Sequence, residues 1–167
     1  MRTLLVGGAL AVIVVSLAAC GGSSTSSSSQ DALQRQADLW AIDQIERNFH
    51  KATSLHDVDL MMSLWAPHAT FTYGPGDTAT GTKQIRHAFL KESEAFKPTS
   101  HWVSDTPAYK VRITVNGDRG TLNFECHYVD IKTGKVVSHT AADQEVARMN
   151  GKWLITSMVG GSAPLTP

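Results

Sequence analysis

Removing a proton next to a carbonyl needs a base with a pKa near neutrality and a donor that can hold the developing oxyanion. Imidazole meets the first need unaided, and the chain carries seven histidines. A phenol meets the second, and among three tyrosines Tyr73 has the most telling setting. In "SLWAPHATFTYG" (63–74) a helical pattern stops at Pro67, after which Ala69, Phe71 and Tyr73 alternate with Thr70 and Thr72. Alternation puts Tyr73 on the side of Phe71. Its ring then either packs a core, with the hydroxyl on a backbone carbonyl, or lines a pocket. A carboxylate would normally orient or recharge the histidine. Asp43, beside Ile42, is one candidate, and a solvated helix-face charge is the plainer reading of it. His50, His56, His68, His87 and His139 show no ligand spacing and read as surface residues. Two cysteines with no CxxC and no HExxH argue against zinc, and nothing in the sequence asks for a cofactor.

These residues must be positioned by a single domain. The stretch "DALQRQADLWAIDQIERNFHKATS" has Leu39, Ile42, Ile45 or Glu46, and Phe49 along one stripe, which predicts a helix capped at Asp31. "HDVDLMMSLW" predicts a second, shorter helix with Leu60, Leu64 and Trp65 inward, closed by Pro67. A strand over 69–73 follows, then a third helix in "GTKQIRHAFLKESEAF" with Ile85, Phe89 and Phe96 inward. The second half reads as consecutive β hairpins, with turns at Asn116-Gly117-Asp118, Thr133-Gly134 and Asn150-Gly151. The expected fold is α+β: a curved antiparallel sheet wrapped over three N-terminal helices, enclosing a cone with one open end.

The chain's beginning has a different character. "MRTLLVGGALAVIVVSLAAC" puts one charge, Arg2, before an apolar run too short for an ordinary membrane span. Small residues before Cys20, then Gly21 and Gly22, resemble the lipobox of bacterial lipoproteins. That resemblance implies cleavage before Cys20 and acylation of it, hence an extracytoplasmic, lipid-anchored protein of the cell membrane. Several acyl chains, at ~0.8 kcal/mol per buried methylene, hold far better than one. The expected division is a signal peptide over 1–19, the lipidated cysteine and a flexible Gly/Ser tether over 20–31, and the domain over 32–162. Losing Arg2 leaves 14 Lys+Arg against 15 Asp+Glu, with no basic patch, which argues against nucleic acid. Acylated Cys20 would leave Cys126 alone, so no intrachain disulfide could form.

"LWAPHATFTY", "TSHWVSD", "VNGDRG" and "GKWLI", in this order and spacing, resemble the SnoaL-like branch of the nuclear-transport-factor-2-like superfamily. The resemblance spans about 39–159. Its closest residue-level likeness is to scytalone dehydratase, a metal-free enzyme that eliminates water from a small cyclic ketone. It implies pocket positions for Tyr73 and for His101 in "TSHWV", with Thr140 as a substrate-contacting hydroxyl. Trp65 and Phe71 fall with them on the pocket wall. The family's catalytic aspartate falls on Ser54, with Asp57 the nearest carboxylate, and an expected asparagine falls on Ala142. A second histidine could be His127. However, Leu122, Phe124, Cys126 and Tyr128 alternate with it, and if that apolar row faces the core, His127 lies on the outer sheet face.

Three readings follow. One is a lipid-anchored domain that holds a small apolar molecule, or a partner's segment, in its cone without efficient turnover. Another is a cofactor-independent dehydratase or isomerase acting on a small cyclic hydroxy-ketone through His101 and Tyr73. The last is a structural module with a filled cone, a homodimer through its outer sheet face. Ser54 and Ala142 favour the first, because the pocket positions persist while the acid does not.

Overall fold

The computed structural model describes residues 24–161, with side chains from Ser28 onward. The expected signal peptide and Cys20 therefore lie outside the described residues. Helix α1 runs Ser24–Leu55, α2 Val58–Met62 and α3 Gly81–Glu92, and a short 3-10 turn follows at Glu94–Phe96. The strands are β1 Trp65–Gly74, β2 Asp77–Thr80, β3 Trp102–Ser104, β4 Lys110–Asn116, β5 Arg119–Asp130, β6 Lys135–Met149 and β7 Lys152–Gly160.

Helix α1 buries Ile42, Ile45, Phe49 and Ala52 against the sheet, the stripe its spacing predicts. It begins at Ser24, so the serine run expected as tether forms its first turns. Extending an existing helix fixes one residue per added hydrogen bond, which even serine tolerates once the packed part has nucleated it. Asp38 pins the helix to the β6–β7 hairpin. It accepts hydrogen bonds from Arg148 Nη2 at 2.6 Å and Trp153 Nε1 at 3.2 Å, and Arg148 lies 5.0 Å from the Trp153 ring centre.

The second helix is shorter than its sequence predicts. Asp57 caps it, accepting from Leu60 N at 2.9 Å, and it ends at Met62 rather than Pro67. The Leu64 carbonyl then accepts from Ile155 N at 2.8 Å, which draws Trp65 into β1 opposite Ile155. Pro67, lacking an N–H, sits where the β1–β7 register shifts between Trp65 and Thr70.

The sheet order is β2-β1-β7-β6-β5-β3, with β4 also paired to β5. The sheet is mixed rather than wholly antiparallel, because β1 and β7 run parallel. Two strands so far apart in the chain are free of the antiparallel geometry that a tight hairpin turn imposes. Where the chain does turn tightly the sequence reading is direct. At the β6–β7 turn Asn150 and Gly151 both have positive φ, 51° and 77°, as an Asn-Gly hairpin turn requires. Along β5, Leu122, Phe124 and Cys126 are buried on the helix side, and Asn123, Glu125 and His127 alternate to the outer face.

Candidate functional site

A cavity of about 380 Å³ opens between the 3-10 turn, the end of α3 and the inner face of the sheet. Its volume falls in the range of small-molecule pockets. The apolar wall is aromatic: Phe49 from α1, Phe71 from β1, Phe89 from α3, Phe96 from the turn, Trp102 from β3 and Phe124 from β5. Phe71 and Phe89 stack with ring centres 4.9 Å apart and planes at 11°, making a flat surface on one side. Alternation explains the sheet's share of the lining. Phe71 and Tyr73 come from one face of β1, Phe124 and Tyr128 from one face of β5, and Thr140 and Ala142 from one face of β6.

The polar groups on this wall are mostly hydroxyls, from Thr53, Tyr73, Ser93, Tyr128, Ser138 and Thr140. Burial pushes the Tyr128 phenol above its ordinary pKa despite a hydrogen bond with Thr53, so it stays protonated. Two carboxylates complete the lining, Glu92 and Glu94, and each is ion-paired, with Lys91 at 2.9 Å and Lys97 at 2.5 Å. Among the described residues, no histidine, cysteine, lysine or arginine lines the cavity.

The structure brings Tyr73, Phe71 and Thr140 together on one wall. The other expected site residues stand elsewhere. His101 lies one residue before β3, where its carbonyl accepts from Ile131 N at 3.0 Å. Trp102 and Ser104 are the residues that β3 turns inward, and Trp102 occupies the wall in place of His101. Ser54, where the dehydratase resemblance would place an acid, is engaged with backbone. Its Oγ accepts from Ser104 N at 2.9 Å and donates to Ser104 O at 3.3 Å, bracing β3 on α1. Trp65 is 3 % exposed and packs behind the wall, 5.7 Å from Phe71 and 5.9 Å from Phe89 between ring centres. Asp43 is paired one turn along the helix with Arg47 at 2.6 Å.

A second polar group, which sequence reading missed, lies behind Phe49 and Phe124. His50, read as a surface residue, is fully buried. Its Nδ1 is 2.8 Å from Ser104 Oγ, and its Nε2 is 3.2 Å from Glu46 Oε1, off the direction of a hydrogen bond. Glu46 Oε1 accepts from Ala108 N at 2.6 Å. Burial pushes the His50 pKa down to about 4, which leaves the ring neutral near neutral pH, and burial also raises the pKa of Glu46. Cys126, beside Ser104, is pushed up to about 12 by the same burial. Serine, histidine and glutamate at these distances resemble a nucleophilic triad, but none of them lines the cavity. The signal was present in the sequence, since His50 is four residues from Glu46 and eight from Ile42 on the buried stripe.

A third group occupies the outer sheet face. Tyr109 donates to the buried Glu125, His139 Nε2 lies 3.2 Å from Glu125, and the Tyr109 and His127 rings stack 4.4 Å apart. His127 therefore stays on the face opposite the cavity. Among the described residues no group of histidine, cysteine, aspartate or glutamate is placed to hold a metal ion.

Known structures agree on the fold. An NTF2-like protein with a cystatin-like fold from Novosphingobium aromaticivorans matches with a TM-score of 0.67 at 16% identity, over 85% of this chain and 95% of that one. A hexachlorocyclohexane dehydrochlorinase from Novosphingobium barchaimii LL02 matches with a TM-score of 0.63 at 15% identity, over 81% and 99%. An NTF2-like protein from Pseudomonas putida KT2440 matches with a TM-score of 0.66 at 14% identity, over 78% and 89%. No curated protein sequence matches. The model of the SnoaL-like domain matches residues 34–159, from the third turn of α1 to the last residues of β7, and with the helix-filled curved sheet this makes the chain a member of the SnoaL-like domain family.

Proposed function

We propose that this domain holds one small, largely apolar, uncharged molecule in its cavity and does not turn it over efficiently. The observation that carries the reading is the cavity wall itself, aromatic surface and hydroxyls with no histidine among its described residues. Aromatic surface favours burying apolar area at ~25 cal/mol per Å². The hydroxyls orient a carbonyl or hydroxyl on the ligand. Elimination of the kind named for the dehydrochlorinase relative requires a base on the wall. Hydroxyls do not ionise near neutral pH, and the two rim carboxylates are engaged by lysines. Acylation at Cys20 would hold this binding domain at the outer side of a membrane, an address that suits a carrier or sensor better than a metabolic enzyme.

The test is titration of the full chain with a neutral fluorescent probe, N-phenyl-1-naphthylamine, against Thr140→Phe, which fills the cavity from its half-buried wall. The expected result is saturable one-to-one binding by the wild type, weakened at least tenfold in the variant, with an unchanged circular dichroism spectrum. Equal affinity in the folded variant would show that the probe binds elsewhere and would refute the reading.

A further inference from the structure

Helix α1 is 32 residues long, about 48 Å at ~1.5 Å per residue, and only one of its faces is used by the fold. Residues turn by ~100° each, so Ile42, Ile45, Phe49 and Thr53 share the buried face. Leu33, Ala37, Trp40, Gln44, Arg47, Lys51 and Leu55 fall within one ~80° sector on the opposite side. Leu33, Trp40 and Leu55 are 70 %, 66 % and 60 % exposed, although each is a large apolar side chain. No Asp or Glu of the helix falls in that sector, where the charges are Arg47 and Lys51. Arg47 is bridged from the sector's flank by Asp43, while Lys51 is exposed. Leu33 and Trp40 stand about two turns apart and Leu55 about four turns further on, large apolar side chains spaced along an acid-free helix face.

We infer that this face of α1 lies on a lipid bilayer surface bearing anionic headgroups, so that the domain is held flat on the membrane and not merely tethered to it. The inference rests on anchoring through Cys20. Four residue steps separate Cys20 from Ser24, a reach of at most ~14 Å even fully extended. Acyl chains at Cys20 would therefore bring the first turn of α1 to the headgroups. No described helix is long and apolar enough to cross a membrane; on this inference α1 lies along the surface. Tryptophan settles at the headgroup boundary, where its ring is buried and its indole N–H stays wet. Lys51 supplies the attraction to anionic lipid, since a cation near such a surface is drawn to its negative potential.

The experiment reconstitutes the processed full chain in vesicles of phosphatidylcholine with one-third phosphatidylglycerol, with or without brominated acyl chains. Bromine quenches only indoles that reach the acyl boundary. Trp65 and Trp153 are buried in the domain and Trp102 is half-buried on the cavity wall, so Trp40 is the outward indole. The expected result is quenching by brominated lipid that is lost in Trp40→Phe. It should weaken in Lys51→Glu and when phosphatidylglycerol is omitted. Protein that floats with the vesicles but shows no Trp40-dependent quenching overturns the inference and leaves the anchor intact. Wild-type protein that does not float overturns both. Trp40-dependent self-association without quenching assigns the face to a second copy of the chain and also overturns it.

Discussion

Two polar regions lie on either side of Phe49 and Phe124, and they divide the residue types between them. On the cavity side are hydroxyls: Thr53, Tyr73, Ser93, Tyr128, Ser138 and Thr140. On the far side are Glu46, His50, Ser104 and Cys126, the acid, base and nucleophile types that chemistry would want. One helix turn separates them, since His50 and Thr53 are three residues apart on α1. His50 lies 4.7 Å from Phe124 between ring centres, so an aromatic layer seals the reactive types from the accessible space. Residue inventory thus says little about activity in this fold. What decides is which side of an aromatic layer each group occupies.

The comparison breaks most severely if the layer itself is removed. Phe124→Ala should cost ~3–5 kcal/mol by urea denaturation, and it should open the cavity to His50. A loss below ~1 kcal/mol would mean that the two regions are not separated by packing.

Acid sharpens the comparison next. His50 is held down to about 4 in the folded state against its ordinary 6.5. Below 6.5 the unfolded chain takes a proton that the folded chain refuses. Stability is therefore full above about 6.5 and falls as pH drops toward 4, by about 3 kcal/mol at most. Glu46 acts in the opposite sense, because its raised pKa makes its contribution largest at low pH and smaller as pH rises through the folded value. Comparing wild type with His50→Gln separates the two, and the variant should show the flatter profile between pH 6.5 and 4. An equally steep profile in the variant would place the pH dependence elsewhere.

Ser54→Ala is a smaller probe of the sealed side. It removes the side-chain partner of the Ser104 N–H and one of two donors to the Ser104 carbonyl, the other being Thr106 Oγ1 at 3.5 Å, and should cost ~1–3 kcal/mol. Ser54→Asp, which puts in the acid that the dehydratase resemblance implies there, should also destabilise, because a carboxylate accepts from Ser104 N but repels Ser104 O. An increase in melting temperature with either variant would contradict the brace.

Much of this was legible in the sequence, where local rules govern. The hairpin turn at Asn150-Gly151 follows from backbone sterics, and the inward row of β5 follows from strict alternation. The wall position of Tyr73 comes from the same alternation in β1. Where one residue of register or one late contact decides, the sequence was silent. Trp65 left its helical pattern because Ile155, some ninety residues on, bonds the Leu64 carbonyl. The place expected for His101 went to its neighbour Trp102 because a strand sends adjacent side chains to opposite faces. His50 was misread because histidine is common on surfaces, although its spacing from Ile42 and Glu46 placed it on the buried stripe.

The smallest stability effect belongs to the open side. Tyr73→Phe removes one hydroxyl from the half-buried wall, and stability should change by less than ~0.5 kcal/mol. Probe affinity should fall about two- to tenfold, the worth of one hydrogen bond of ~0.5–1.5 kcal/mol. A stability loss above 1 kcal/mol with unchanged affinity would return Tyr73 to the core.

A cavity that binds without a base leaves the ligand's α-protons unexchanged, and deuterium exchange reads this. The full chain is saturated with a cyclic ketone that displaces the naphthylamine probe, transferred to deuterated buffer, and the ketone's α-protons are followed by NMR. Exchange no faster than in buffer alone is expected, for wild type and His101→Ala equally. Exchange accelerated by the wild type and lost in His101→Ala would show that His101 reaches the ligand and that the protein is an enzyme.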